Sequence, residues 1–309
     1  MQITAIRSDQ IYRTMMTAAP ADKTDLYRQQ LLGPFREKWD IQHIPFESDD
    51  GFDVVTMSNM MNIAPHNMDD SMKDQVTRIA SESFWQSCQQ AIEESLAQFT
   101  NHGIQLPVLH YTYTVLLGDM NRPLMRINEG LCGDGGIPGY IIANIVPDHE
   151  RLARLPAVLA HECNHNVRYQ FIRWNPNVTL AEMIVSEGLA ENFAEAMYGQ
   201  QALGPWVTRT DTDMLNQNVK PLIHDHLQLT GLQAISPYLY GDKIASMQSH
   251  ATSAIGMPYA GGYACGYHMV HYYLKQTGIS ITEATLQSAE TILAATGDFW
   301  HETTQVHRT

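Results

Sequence analysis

The chain has 309 residues, 44% of them hydrophobic and 17% charged, enough apolar content to bury a large core in one big domain or two closely packed subdomains. Lys and Arg number 19 against 33 Asp and Glu, a formal charge of -14, which argues against nucleic acid or an anionic membrane surface as a partner. No stretch approaches the 18 or so apolar residues of a membrane span, and the opening MQITAIRSDQIYRTMM lacks a basic segment followed by an apolar core, so the expected address is the cytoplasm. Cys88, Cys132, Cys163 and Cys265 lie far apart without CxxC spacing, as reduced buried thiols do.

Residues 1–104 read as a helical N-terminal region, with candidate helices from Ala21 to Trp39 and from Ser71 to His102. In the second, Val76, Ile79, Ala80, Phe84, Cys88, Ile92 and Leu96 recur at helical spacing before the stop signal of Gly103. Between them, Asp49-Asp50-Gly51 and the Met-rich stretch from Met57 to Met72 read as loop. Residues 105–309 form the second region, either a separate domain or continuous with the first. Leu106 to Leu117 alternates like a half-buried strand, and Gly139 to Val146 reads as another. The intervening Cys132 to Pro138 is a glycine-rich turn, too short for a phosphate-binding loop. Pro147-Asp148 opens a helix to about Tyr169, and Asn175-Pro176-Asn177 breaks it. Thr179 and Glu182 then form a capping box for a helix to Tyr198, closed by Gly199, and further helices are expected from Gly262 to Gln276 and Thr282 to Thr296. The class is α+β, mostly helical, with a small sheet whose edge strand precedes the helix of the motif described next.

That motif is His161-Glu162-Cys163-Asn164-His165. Residues four apart share a helix face, so His161 and His165 can offer two imidazole nitrogens to one metal while Glu162 reaches a water beside it. An HExxH string arises by chance in only roughly 0.03 copies in a chain of this composition. Cys163 points away from the histidines around the helix and is expected to be buried behind the site. A zinc hydrolase commonly adds a carboxylate to two histidines. Glu187 is the leading candidate, because the short 171–178 connection folds the next helix back beside the first. Glu191, one turn on, can accept the second ring N–H of His161 or His165. Both sit in a mostly apolar segment where burial demands a partner, whereas Glu195 is expected to be exposed.

These residues resemble a known family, the gluzincin-like metallopeptidases, and more narrowly the predicted zinc-dependent proteases of the YjaZ type. The resemblance covers roughly residues 105–280 and rests on HECNH at 161–165, SEGLAE at 186–191, and Gly262-Tyr263-Ala264-Cys265-Gly266-Tyr267. It implies a zincin-like fold, one Zn2+ per chain held by His161, His165 and Glu187, and Glu162 as the base that activates water against the peptide bonds of a peptide or protein substrate. It further implies that the strand before the motif helix, here Gly139 to Val146, can pair with an extended substrate. A donor to the developing oxyanion is also required. Tyr263 leads, with Tyr267 and His268 as alternatives and core packing as the competing role. His224-Asp225-His226 reads as a surface loop, and His271 as packing or exposed. The alternative function is a zinc-stabilised regulatory or chaperone-like interaction protein with little turnover.

Overall fold

The computed structural model describes residues 1–49, 51–173, 175, 177–248 and 253–301; Asp50 and Pro176, which fall within two of the expected breaks, lie outside the described residues. The chain divides into two compact units, Met1–Thr100 with Gln105–Asn166, and Asn101–Ile104 with Val167–Thr309.

In the first unit, β1 (Gln2–Ala5) leads into α1 (Ser8–Thr17), and α2 (Arg36–Ile41) ends a run of short helical pieces. The expected helix from Ala21 to Trp39 is broken into a turn of α-helix, a π-helical stretch at Tyr27–Leu32, a 3-10 turn at Gly33–Phe35 and α2. Gly33-Pro34 explains part of this, because Pro34 cannot donate to the preceding turn. The long helix expected from Ser71 is likewise divided, since the Ser81 hydroxyl accepts the Phe84 N–H at 3.1 Å and starts a new helix, α3 (Glu82–Asn101). In α3 the buried stripe is Trp85, Cys88, Ala91, Ile92, Ser95, Leu96 and Phe99, and Phe84 is only half-buried.

Three further strands, β2 (His110–Leu117), β3 (Leu131–Asp134) and β4 (Tyr140–Ile145), join β1 in a mixed sheet of order β1-β2-β4-β3. β1 and β4 flank β2 in parallel, and β3 runs antiparallel to β4. Interior strands are buried on both faces, so Tyr113 to Leu117 and Ile141 to Ile145 are buried throughout, Thr114 and Asn144 included, and β2 is not the half-buried strand that its alternation suggests. The core of this unit gathers Tyr12, Met15, Phe35 and Trp39 against Leu116, Leu117 and Ile142.

This order corrects one expectation. The strand directly before the motif helix, β4, is interior, and the edge is β3, drawn from the segment expected to be a glycine-rich turn. Gly133 hid this strand in the sequence, because glycine weakens a strand and gives no side-chain alternation to detect.

The motif helix α4 (His149–Phe171) starts where the Asp148 carboxylate accepts the Arg151 N–H at 2.8 Å, and its last turn belongs to the second unit. There the guanidinium of Arg168, fully buried, donates to Glu182 at 2.7 and 3.0 Å and to the carbonyls of Thr285 and Gln287 at 2.8 Å each. Glu182 lies in the first turn of α5 (Leu180–Tyr198), whose N-cap Thr179 accepts the Glu182 N–H at 3.1 Å. The expected capping box is half formed, since the Glu182 carboxylate turns to Arg168. Gly199 closes α5 at φ 81°. α5 is buried on every face from Met183 to Ala194. The expected helix at Thr282 to Thr296 is two short ones, Ile281–Thr285 and Ala289–Ala295, each started by a serine cap.

α6 (Gly261–Thr277) crosses α5 where Gly188 meets Gly266. A Cβ on Gly188 would collide with the Gly266 carbonyl, and one on Gly266 with the Ile184 carbonyl, so both contacts are backbone and cannot yield by rotamer change. Gly188→Ala is therefore expected to destabilise the protein by about 2–4 kcal/mol despite alanine's better helix propensity. Urea unfolding checks this, and a variant as stable as the parent would show that the helices do not cross this closely.

Candidate metal centre

His161, Glu162 and His165 are all buried on α4, with 5–7% of their surface exposed. One helical turn separates the histidines, and their rings meet at 79° with the two Nε2 atoms 3.0 Å apart. Two imidazoles on one tetrahedral zinc ion, with Zn–N of about 2.0 Å, hold their nitrogens roughly 3.3 Å apart, so this pair is nearly at the separation a shared ion needs.

Glu187 is equally buried, at 6%. Its place follows from the turn at the end of α4: Tyr169 donates from its hydroxyl to Ser186 at 3.0 Å, His165 lies one turn before Tyr169, and Glu187 follows Ser186. One ligand atom from each of His161, His165 and Glu187 falls within 4.8 Å of the others. Two nitrogens and a carboxylate oxygen, buried and convergent, are a donor set suited to zinc. Cys163 is fully buried, and burial pushes its thiol up, as fits packing.

Glu162 is held by a segment read from the sequence only as a turn. The Gly135 N–H donates to its Oε2 at 2.6 Å. Any Cβ on Gly133 would strike the Glu162 side chain, and any on Gly135 its backbone, so the close approach requires glycine at both positions. Asn166, the residue after the motif and fully buried, fixes the rest of the loop. Its Oδ1 accepts the Gly139 N–H at 2.8 Å, and its Nδ2 faces the carbonyls of Gly135 at 3.0 Å, Ile137 at 2.8 Å and Tyr140 at 2.9 Å. Asn166 stands directly after the motif among other polar residues, and nothing in the sequence pairs it with the distant glycines.

The acidic stripe of α5 is partnered along its length. Glu191, 2% exposed, accepts from the indole N–H of Trp206. Glu195, expected to be exposed, is half-buried and accepts the Tyr267 hydroxyl at 2.9 Å. The fully buried stretch of α5 ends at Ala194, and the partner of Glu195, 72 positions away, cannot be inferred locally. Burial, and then Glu195 itself, push the Tyr267 phenol up, which keeps it protonated. Tyr263 is half-buried in the core of the second unit, its ring 6.0 Å from that of Tyr240. His268 is lowered to about 4, first by burial and then by His271 and Lys220. His224, expected in a surface loop, ends the short helix Lys220–His224 with its side chain 46% exposed beside Trp300, and His226 is half-buried against Tyr238. Among the described residues no helix is long and apolar enough to cross a membrane.

Asn166→Asp would set a carboxylate against three carbonyl oxygens, and a loss of about 3 kcal/mol or more in denaturant unfolding is expected, with faster exchange of the Gly139 amide; stability within about 0.5 kcal/mol of the parent would contradict the clamp. His268 binds its proton less readily folded than unfolded. Its contribution is therefore complete above about pH 6.5 and lost as pH falls toward 4, by up to about 3 kcal/mol. Unfolding free energies measured across that window should fall less steeply in His268→Gln, and identical slopes would refute the assignment.

A family described as "Predicted Zn-dependent protease (DUF2268)" matches residues 84–294. The uncharacterised protein YjfC of Bacillus subtilis (strain 168) is 29% identical over 291 residues, covering 93% of this chain and 96% of its own length. No solved structure matches the chain. The match spans well over half of the 309 residues and includes the whole of the His161, Glu162, His165 and Glu187 constellation, and the chain belongs to this family of predicted Zn-dependent proteases.

Proposed function

We propose that the protein is a zinc-dependent peptidase that hydrolyses peptide bonds in peptide or protein substrates in the cytoplasm. The observation that carries this reading is the buried, convergent set of His161, His165 and Glu187 with the Glu162 carboxylate one position round the same helix. His161, His165 and Glu187 hold one Zn2+ per chain. When bound, zinc lowers the pKa of water toward neutrality and polarises the scissile carbonyl.

Glu162 is the general base. It takes a proton from the attacking water and returns it to the leaving amine, and the Gly135 N–H fixes the carboxylate's orientation. A binding module has no need of such a base, and the geometry spent on Glu162 favours turnover over a purely regulatory role. Glu191, which also accepts the Trp206 indole N–H, is the proposed acceptor for the second ring N–H of His161 or His165, a role consistent with its burial. Tyr263 is the proposed oxyanion donor; Tyr267 is the weaker choice because its hydroxyl is engaged by Glu195. An extended substrate is proposed to add along β3 rather than β4, because β3 pairs with no strand on its outer side among the described residues and Gly133 and Gly135 bring it against Glu162.

The test compares zinc content and cleavage of a diverse peptide library by the wild type and Glu162→Gln. Zinc near one per chain is expected in both, with cleavage falling by about 100-fold or more in the variant. A zinc-loaded wild type that cleaves nothing, or a variant that cleaves as fast, would overturn the proposal.

A further inference from the structure

Lys38, on α2, has a fully buried side chain, an unusual place for an ammonium. Its Nζ donates to Asp134 Oδ2 at 2.6 Å and to Gln42 Oε1 at 2.9 Å, and lies 4.9 Å from the centre of the Trp39 ring. Stability alone does not call for this arrangement, because an apolar side chain of similar length would fill the slot at less desolvation cost. What distinguishes the pair is its position in the chain. Asp134 lies between Gly133 and Gly135, the two residues whose backbone closes on Glu162.

Glycine permits that approach, and the pairing of β3 with β4 holds Gly133 and Asp134 but ends there, one residue short of Gly135. Beyond the ladder, side chains from outside the segment must hold the backbone. Asn166 secures the segment at Gly135, Ile137, Gly139 and Tyr140. Lys38 is the anchor on the other flank. A displacement of about 1 Å at a catalytic group can cost on the order of 100-fold in rate, so a tether at the residue adjoining Gly135 has a direct route to catalysis.

We propose that Lys38 is a positioning residue: through Asp134 it fixes the Gly133 to Gly135 backbone so that the Gly135 N–H stays on Glu162. The N-terminal helical pieces thereby take part in shaping the base. The catalytic half of this inference rests on the peptidase reading, and the structural half does not.

Lys38→Met keeps the length and apolar stem of the side chain and leaves Asp134, a third exposed, to be solvated by water. Hydrogen exchange followed by mass spectrometry over residues 131–137 should show the Gly135 amide exchanging about tenfold or more faster than in wild type, with α4 and β2 unchanged. On a peptide that the wild type cleaves, kcat is expected to fall about 10- to 100-fold with KM within about threefold and zinc content unaltered. Lys38→Met with Asp134→Asn should be no slower than Lys38→Met alone, because the two act as a unit. If Lys38→Met does not fold, Asp134→Asn alone should show the same faster exchange and lower kcat. Wild-type exchange at Gly135 in a folded variant overturns the tether, and unchanged kcat despite faster exchange overturns the positioning role. A zinc-loaded wild type inert toward every peptide overturns the peptidase reading and the catalytic half with it, while the exchange result still decides the tether.

Discussion

A carboxylate and two imidazoles converge within 4.8 Å in a region where each side chain is less than a tenth exposed. Burying a carboxylate is costly without a compensating cation or donor, and a divalent cation on these three side chains would accept a lone pair from each ring and offset the charge of the carboxylate. Much of the surrounding architecture answers to that convergence. The last turn of α4 is bound to α5 through Arg168 with Glu182 and Tyr169 with Ser186, and α5 is pressed against α6 at paired glycines that allow backbone contact.

Glu162 is constrained by a separate device. Its neighbours in space are backbone groups from Gly133 and Gly135, and those are supported by side chains from both flanks, Asn166 on α4 and Lys38 on α2. The proposed base is thereby oriented in part by a peptide group, whose position depends on packing. Precision of this kind is what catalysis by proton transfer demands, because hydrogen-bond reach sets the first condition on a general base.

The sequence carried the parts of this arrangement that depend on short-range periodicity. HECNH points to two proposed ligands and a proposed base because four-residue spacing is a property of one helix, and Glu187 joins them as a candidate because the next helix is capped at Thr179 after a short connection. β2, β4, α4, α5 and α6 are all legible from their apolar patterns, with ends displaced by a few residues. What stayed hidden depends on contacts between distant segments. β3 is four residues long and holds a glycine where alternation would be read, so the sheet edge was placed one strand away. Glu195 meets Tyr267 across 72 positions, and Lys38 meets Asp134 across 96. Neither pairing leaves a mark on its own neighbourhood: Lys38 stands among Arg36, Glu37 and Asp40, and Asp134 between two glycines. The break at Ser81 was locally encoded, but its weak capping signal lay inside a convincing apolar stripe.

The most direct measurement of the central claim is X-ray absorption at the zinc edge on protein stripped of metal and reloaded with one equivalent. The account expects a first shell of nitrogen and oxygen at about 2.0–2.2 Å with the outer-shell scattering of two imidazoles, and loss of one oxygen contribution in Glu187→Ala. Failure to retain zinc, or a sulfur shell near about 2.3 Å, would contradict it.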